Sequence, residues 1–292
     1  MGYMFIEASL IFAFIAMICW GFGDFFIQRS SRKIGNVESL LFIGIIGLIG
    51  LFPLVIGDIH ALFEWQNLLL IGFLGVLTFV AGLLDFEALK EGKLSVIEVV
   101  LEIELPITIL LGLIFFGETL TAMQWVVISF IFIGILLMAF KKAHFKNIKL
   151  FLEKGVLIAI LGSIGMGGIN FLTAASSRQV SPIMAIWGPA LVFSILCIIV
   201  IWRREGFSKT FANLRRYKWL VLGMGIFDTA AWTTYAFATN QGELAVITAI
   251  TESYPAICLF LGLWINKEKI GWHQYLGAAL AICASILLAF VV

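Results

Sequence analysis

Long apolar runs separated by short polar breaks make up almost the whole chain. A run of about 20 apolar residues is what a helix needs to cross the hydrocarbon core of a bilayer. Ten such spans are read, at roughly 5–27, 37–57, 66–89, 94–116, 121–140, 154–175, 182–202, 217–239, 244–265 and 271–291. Most connections are short, and only 141–153 and 203–216 form longer polar stretches. The pattern predicts an all-α integral membrane protein with ten transmembrane helices and no separate soluble domain.

One span carries charge where the pattern forbids it. Residues 93–118 could cross a membrane, yet they contain Glu98, Glu102, Glu104 and Pro106. Shifted by 150 positions, 243–268 matches them, with Leu94/Leu244, Ile97/Ile247, Glu102/Glu252, Ile107/Ile257, Gly112/Gly262 and Glu118/Glu268 in register. The match runs from Ala88/Ala238 to Phe140/Phe290. Nearer the start of each half the offset is 146, pairing Gly21 with Gly167, Phe25 with Phe171 and Arg32 with Arg178. The chain therefore divides into a first repeat over 1–142 and a second over 150–292, each of five spans. Five is odd, so the second repeat must enter the membrane upside down relative to the first. Two inverted five-helix repeats form a transporter architecture, with a site expected near the midplane between them.

Composition excludes a soluble globule, since 62% of residues are hydrophobic and only 13% charged. The net charge of +1 is uninformative, but its placement is not. If the spans are numbered in order, 18 of the 19 Lys and Arg residues fall in the loops of one face, and Arg178 alone falls on the other. The positive-inside rule makes the first face cytoplasmic and puts both termini outside, in a multi-pass plasma-membrane protein. Basic residues also change loops between the repeats. Lys90 and Lys93 correspond to Asn240 and Glu243, whereas Gly117 and Thr119 correspond to Lys267 and Lys269. The first apolar run has no basic segment before it and no cleavage site, so it reads as a retained helix.

Ionisable groups deep in a bilayer cost about 2.5–3.5 kcal/mol each on insertion scales and mark pathways. Glu98, Glu102, Glu104, Asp228 and Glu252 are the deep ones; Asp24, Asp85 and Glu87 lie nearer span ends. Glu98 and Glu102 share a helix face at i and i+4, with Glu104 pointing elsewhere. Two carboxylates that close in a low dielectric do not both ionise, which suits a proton or cation site. Glu98 could instead anchor the helix by pairing with Lys90 or Lys93. Glu102 and Glu252 are singled out by the repeat. Pro106 and Pro255 should kink both helices beside them, which is tolerated where backbone lines a cavity.

Asp24 and Asn170 are repeat counterparts preceded by glycines, and are either packing contacts or ligand contacts. Asp228, Trp232 and Tyr235 share one side of the eighth span. With Trp187 and Tyr254, they could wall an aromatic pocket. The cysteines Cys19, Cys197, Cys258 and Cys283 fit no zinc or disulfide pattern. His60, His144 and His273 are scattered, so no metal or other cofactor is expected. Glu118 and Glu268 are expected to cap or brace the helix that follows each of them. There is no nucleotide-binding loop, and nothing points to nucleic acid.

The motif Trp20-Gly21-Phe22-Gly23-Asp24-Phe25 opens the first repeat. In the second, Glu252-Ser253-Tyr254-Pro255 is followed by Gly262, Glu268, Gln274 and Gly277. In these residues, and in length, span number and repeat, the chain resembles the EamA-like transporters of the drug/metabolite transporter superfamily. The resemblance implies ten spans and a small-metabolite substrate such as an amino acid, a nucleotide precursor, a sugar or a cationic drug. It also implies export or exchange, often proton-driven. Many such relatives place their termini in the cytoplasm, and this chain's charges depart from that. The expected activity is secondary active transport by alternating access, by a monomer or homodimer in the lipid bilayer, and not catalysis. An intramembrane enzyme, a lipid scramblase and a passive channel are the alternatives.

Overall fold

A computed structural model describes residues 2–91, 101–139, 154–204, 206–265, 267 and 270–291. The described residues are almost entirely helical. The first half comprises α1 (Gly2–Ile34), α2 (Asn36–Val55), α3 (Trp65–Glu91), α4 (Glu104–Leu111) and α5 (Ala122–Ala139), with a short 3-10 turn at Ile59–Phe63. The second comprises α6 (Lys154–Gln179), α7 (Met184–Arg204), α8 (Phe207–Arg216), α9 (Lys218–Gln241), α10 (Leu244–Thr251), α11 (Pro255–Ile265) and α12 (Trp272–Val291). Gly35 alone links α1 to α2, and its φ of 92° is a conformation that only glycine adopts freely.

Seven segments among the described residues are long and apolar enough to cross a membrane. They are Ala8–Ile34, Asn36–Val55, Trp65–Ala88, Leu157–Gln179, Met184–Arg204, Leu244–Ile265 and Trp272–Val291. Glu104–Phe116 and Ala122–Met138 are apolar but shorter. The helix α9 has 24 residues, enough to reach about 36 Å. Asp228, four threonines and Asn240 lower its hydropathy. Large apolar side chains such as Ile11, Phe73, Leu110, Ile195 and Ile226 are exposed around the outside. A continuous belt of that kind is stable against lipid, not water. This is a multi-pass membrane protein.

Helix contacts follow the repeat. The helix α1 packs most extensively on α9, and α6 packs likewise on α3. With the repeats exchanged, each of these pairs becomes the other. The pairs α2 with α7, and α5 with α12, each join an element to its own counterpart. Glycines set the closest approaches. A Cβ on Gly21 would meet Ile257, and one on Gly167 would meet Ile107, the register partner of Ile257. Each repeat thus receives the other's isoleucine in a glycine notch, a small-residue contact that brings backbones together.

Both charged segments turn at the same register. The chain turns at 102–103 before α4 begins at Glu104, and again at 252–254 before α11 begins at Pro255. Pro255 sits at the first helical position, where its missing N–H costs nothing. Pro106 sits one position later in register, inside the first turn of α4, and the break precedes it all the same.

The polar stretch 203–216 contains a helix that the hydropathy pattern hid. In α8, Thr210 donates to Glu38 at 3.2 Å and Asn213 donates to Glu38 at 2.6 Å, tying this helix to the start of α2.

Candidate functional site

The broken helices expose their turns to a cavity of about 390 Å³ between the repeats. That volume lies in the range of small-ligand sites, about 300–1,000 Å³. Helix α1 contributes Trp20, Asp24 and Gln28, one per turn. Thr78 and Asp85 come from α3, Asn170 and Thr173 from α6, and Asp228, Thr229 and Trp232 from α9. Glu102 and Glu104 come from the first break, and Glu252 and Tyr254 from the second. The helices α2 and α7 add an apolar wall that includes Ile43, Pro189 and Phe193.

Six carboxyl groups therefore face one space: Asp24, Asp85, Glu102, Glu104, Asp228 and Glu252. No Lys, Arg or His is among the described residues that line it. The groups are coupled. The side chains of Glu104 and Glu252 are hydrogen-bonded to each other. A hydrogen bond between two carboxyl groups requires that one of them carry a proton. Asn170 donates from Nδ2 to Glu252 Oε1 and to Thr108 Oγ1, both at 3.4 Å. The Tyr254 hydroxyl donates to Asp24. Asp24 in turn lies within Coulombic reach of Asp85 and Asp228. The close approach of Gly23 to the backbone of Asp228 brings Asp24 beside α9.

Of the residues expected from sequence, Glu102, Glu252, Asp228, Asp24, Asn170 and Tyr254 share this cavity. Glu98 lies outside the described residues. Two expectations are corrected. Tyr235 does not line the cavity: it is 0% exposed, its hydroxyl is 2.9 Å from Thr248 Oγ1, and Trp20 and Trp232 stand in front of it. Trp187 does not line it either. Its indole Nε1 donates to Leu48 O at 3.1 Å, and its ring packs near Val55, Ile71 and Met184. The adjacent residue Ile186 takes the cavity-facing position.

Sequence reasoning also turned Glu104 away from Glu102, because a continuous helix would do so. The break at 102–103 re-aims it into the cavity. Asp85 reads from sequence as a span-end residue, and nothing in its local sequence places it inside.

Glu118 differs from its expected role too. It does not cap α5; Thr121 and Gln124 do this reciprocally, with Thr121 N donating to Gln124 Oε1 at 2.7 Å and Gln124 N to Thr121 Oγ1 at 3.2 Å. Glu118 instead caps α10 across the repeat boundary, accepting from Leu244 N at 2.6 Å and Ala245 N at 2.9 Å. Arg178 completes the junction. It bridges to Glu118 at 3.2 Å and donates to Thr239 O and Gly242 O at 2.9 and 2.8 Å. The isolation of Arg178 in the charge count was the available signal. Arg178→Gln leaves the Glu118 carboxylate, 7% exposed, without its counter-charge. The expected loss is on the order of 2 kcal/mol, read as a lower Tm in detergent; an unchanged Tm would contradict the junction's structural role.

Glu243 lies just ahead of the segment that enters the membrane at Leu244. Burial, and then the Glu118 carboxylate, hold Glu243 above the usual carboxylate range. Its Oε2 has no hydrogen-bond partner among the described residues. An acid with a higher pKa folded than unfolded stabilises the fold at low pH, and that contribution is lost as pH rises through the folded value. Glu243→Gln should therefore raise Tm at about pH 8, by about 1 °C, and leave it unchanged at about pH 4. Melting curves at both pH values check this.

Helices that cross a bilayer around a cavity lined by acidic side chains define a multi-pass membrane protein. A model of the EamA-like transporter family matches residues 8–140 and again residues 153–290. The chain belongs to the EamA-like transporter family, a family of membrane transporters within the drug/metabolite transporter superfamily. It is 27% identical over 134 residues to the uncharacterized protein MJ1333.1 of Methanocaldococcus jannaschii, which covers 46% of this chain and 97% of that protein. That relative is about as long as one repeat. A solved crystal structure of a protein shares the fold with a TM-score of 0.77 over 98% of this chain and 97% of that one, at 14% identity.

Proposed function

We propose that this protein is a secondary active transporter that moves a small metabolite across the plasma membrane by alternating access, coupled to protons. The observation that carries the reading is the cavity itself. It lies between two repeats and is fed by two helices broken at equivalent positions, each presenting carboxyl groups at the break. In this reading ten spans form two inverted five-span repeats, 1–142 and 150–292. The Lys/Arg-rich loops face the cytoplasm and both termini face outward. The shared proton of Glu104 and Glu252 is the coupling element, with Glu102 beside it. Exchanged helix contacts support the symmetry, because opening to either face then needs only that the two halves swap conformations.

Counterflow in proteoliposomes tests the reading, with a labelled panel of amino acids, nucleosides, sugars and amines. A carrier gives saturable uptake that unlabelled solute inside accelerates. Linear flux without acceleration would mean a channel, and chemical conversion of a panel member would mean an enzyme.

A further inference from the structure

We propose that the cavity binds an organic cation, a protonated amine or quaternary ammonium with an apolar body. The proposal rests on the carrier reading above and names the substrate class of the same site. It begins from the carboxyl groups that the cavity's own residues do not satisfy. Glu104 and Glu252 pair with each other, and Asp24 accepts from Tyr254. Asp228 is different. It is 9% exposed, lines the cavity and has neither hydrogen-bond nor ion-pair partner among the described residues. A carboxylate removed from water without a partner is strongly disfavoured, and a cation supplies what the protein omits. Asp85 faces the same space from the opposite repeat, also near Asp24.

The aromatic wall points the same way. Trp20 and Trp232 meet edge to face, with ring centroids 5.0 Å apart and planes at 86°, and Tyr254 lies 6.3 Å from Trp20. All three line the cavity beside Asp24 and Asp228. Aromatic faces next to carboxylates are the arrangement that holds a substituted ammonium, by cation–π attraction on one side and charge on the other. The lining excludes other classes by the same chemistry. A phosphate, or the carboxylate of an amino acid, would face six acids, with no basic group among the described lining residues. A neutral sugar would leave the Asp228 charge uncompensated.

Binding to purified full-length protein tests this with matched probes. Phenethylammonium, phenylalanine and 2-phenylethanol share a ring and differ in charge, and spermidine and tetraphenylphosphonium extend the cation set. At least one cation should bind saturably, and phenethylammonium should bind at least roughly ten-fold more tightly than phenylalanine or 2-phenylethanol. Asp228→Asn should weaken cation binding about ten-fold or more. Asp85→Asn is the second variant should the first fail to fold. Equal binding of the zwitterion or the alcohol would overturn the proposal. So would the absence of saturable cation binding, or affinity untouched by the substitutions. Cation binding without counterflow would overturn the carrier reading and leave this inference standing. Counterflow of phenylalanine or glucose, but of no cation, would do the reverse.

Discussion

Replacing Glu252 with glutamine should cut pH-driven transport at least about ten-fold, equivalent to about 1.4 kcal/mol, and abolish its dependence on the pH gradient. The substitution keeps the shape and the Asn170 contact at 3.4 Å, because a glutamine carbonyl accepts as Oε1 does. It removes the proton that Glu252 shares with Glu104. Glu104→Gln should have the same effect for the same reason. The double variant should be little worse than either single one, since the pair acts as one unit and its members are not additive. Initial rates at several external pH values separate this from damage to the fold. Additive losses, or a retained pH response, would mean that the proton is carried elsewhere.

Gly277→Leu should prevent the protein from folding into a monodisperse species, at a cost on the order of 3 kcal/mol or more. The reason is backbone against backbone. A Cβ at Gly277 would sit 2.5 Å from Gly134 O and 2.8 Å from Met138 N, and one at Gly134 would sit 2.7 Å from Ala281 N. Side chains can yield to an added methyl group, but two main chains locked in helices cannot. The contact joins α5 to α12, so the last helix of each repeat would be forced apart from the other. Gly50→Leu is the control, because nothing lies within 4 Å of a Cβ there. Size-exclusion profiles of the two variants check the contrast; similar profiles would show that the α5–α12 crossing can relax.

Much of the site was legible because symmetry is visible in sequence. Glu102 and Glu252 are in register, and the structure puts both at helix breaks that face the cavity. Asp24 and Asn170, read as counterparts, face it from α1 and α6. What escaped the sequence was whatever depended on a departure from regular helix. Glu104 was turned away by a helical wheel that runs straight through 102–103, where the chain in fact turns. Trp187 and Ile186 are neighbours on a helix whose rotation is set by distant packing, so periodicity could not choose between them. Glu118 was assigned to the nearest helix start, yet its partner begins 126 residues away, at Leu244. Span-counting by hydropathy also falters at α9, whose threonines and Asp228 serve the interior at the expense of apolar character.

In the proposed mechanism, a proton held at the Glu104–Glu252 pair drives solute movement between alternating openings. The most direct test is solute accumulation in proteoliposomes under an imposed pH gradient, comparing native protein with Glu252→Gln. Native protein should accumulate solute above equilibrium, and only while the gradient lasts. The variant should still exchange labelled for unlabelled solute without accumulating it. Gradient-driven accumulation that survives in the variant, or native flux that never exceeds equilibrium, would contradict the account.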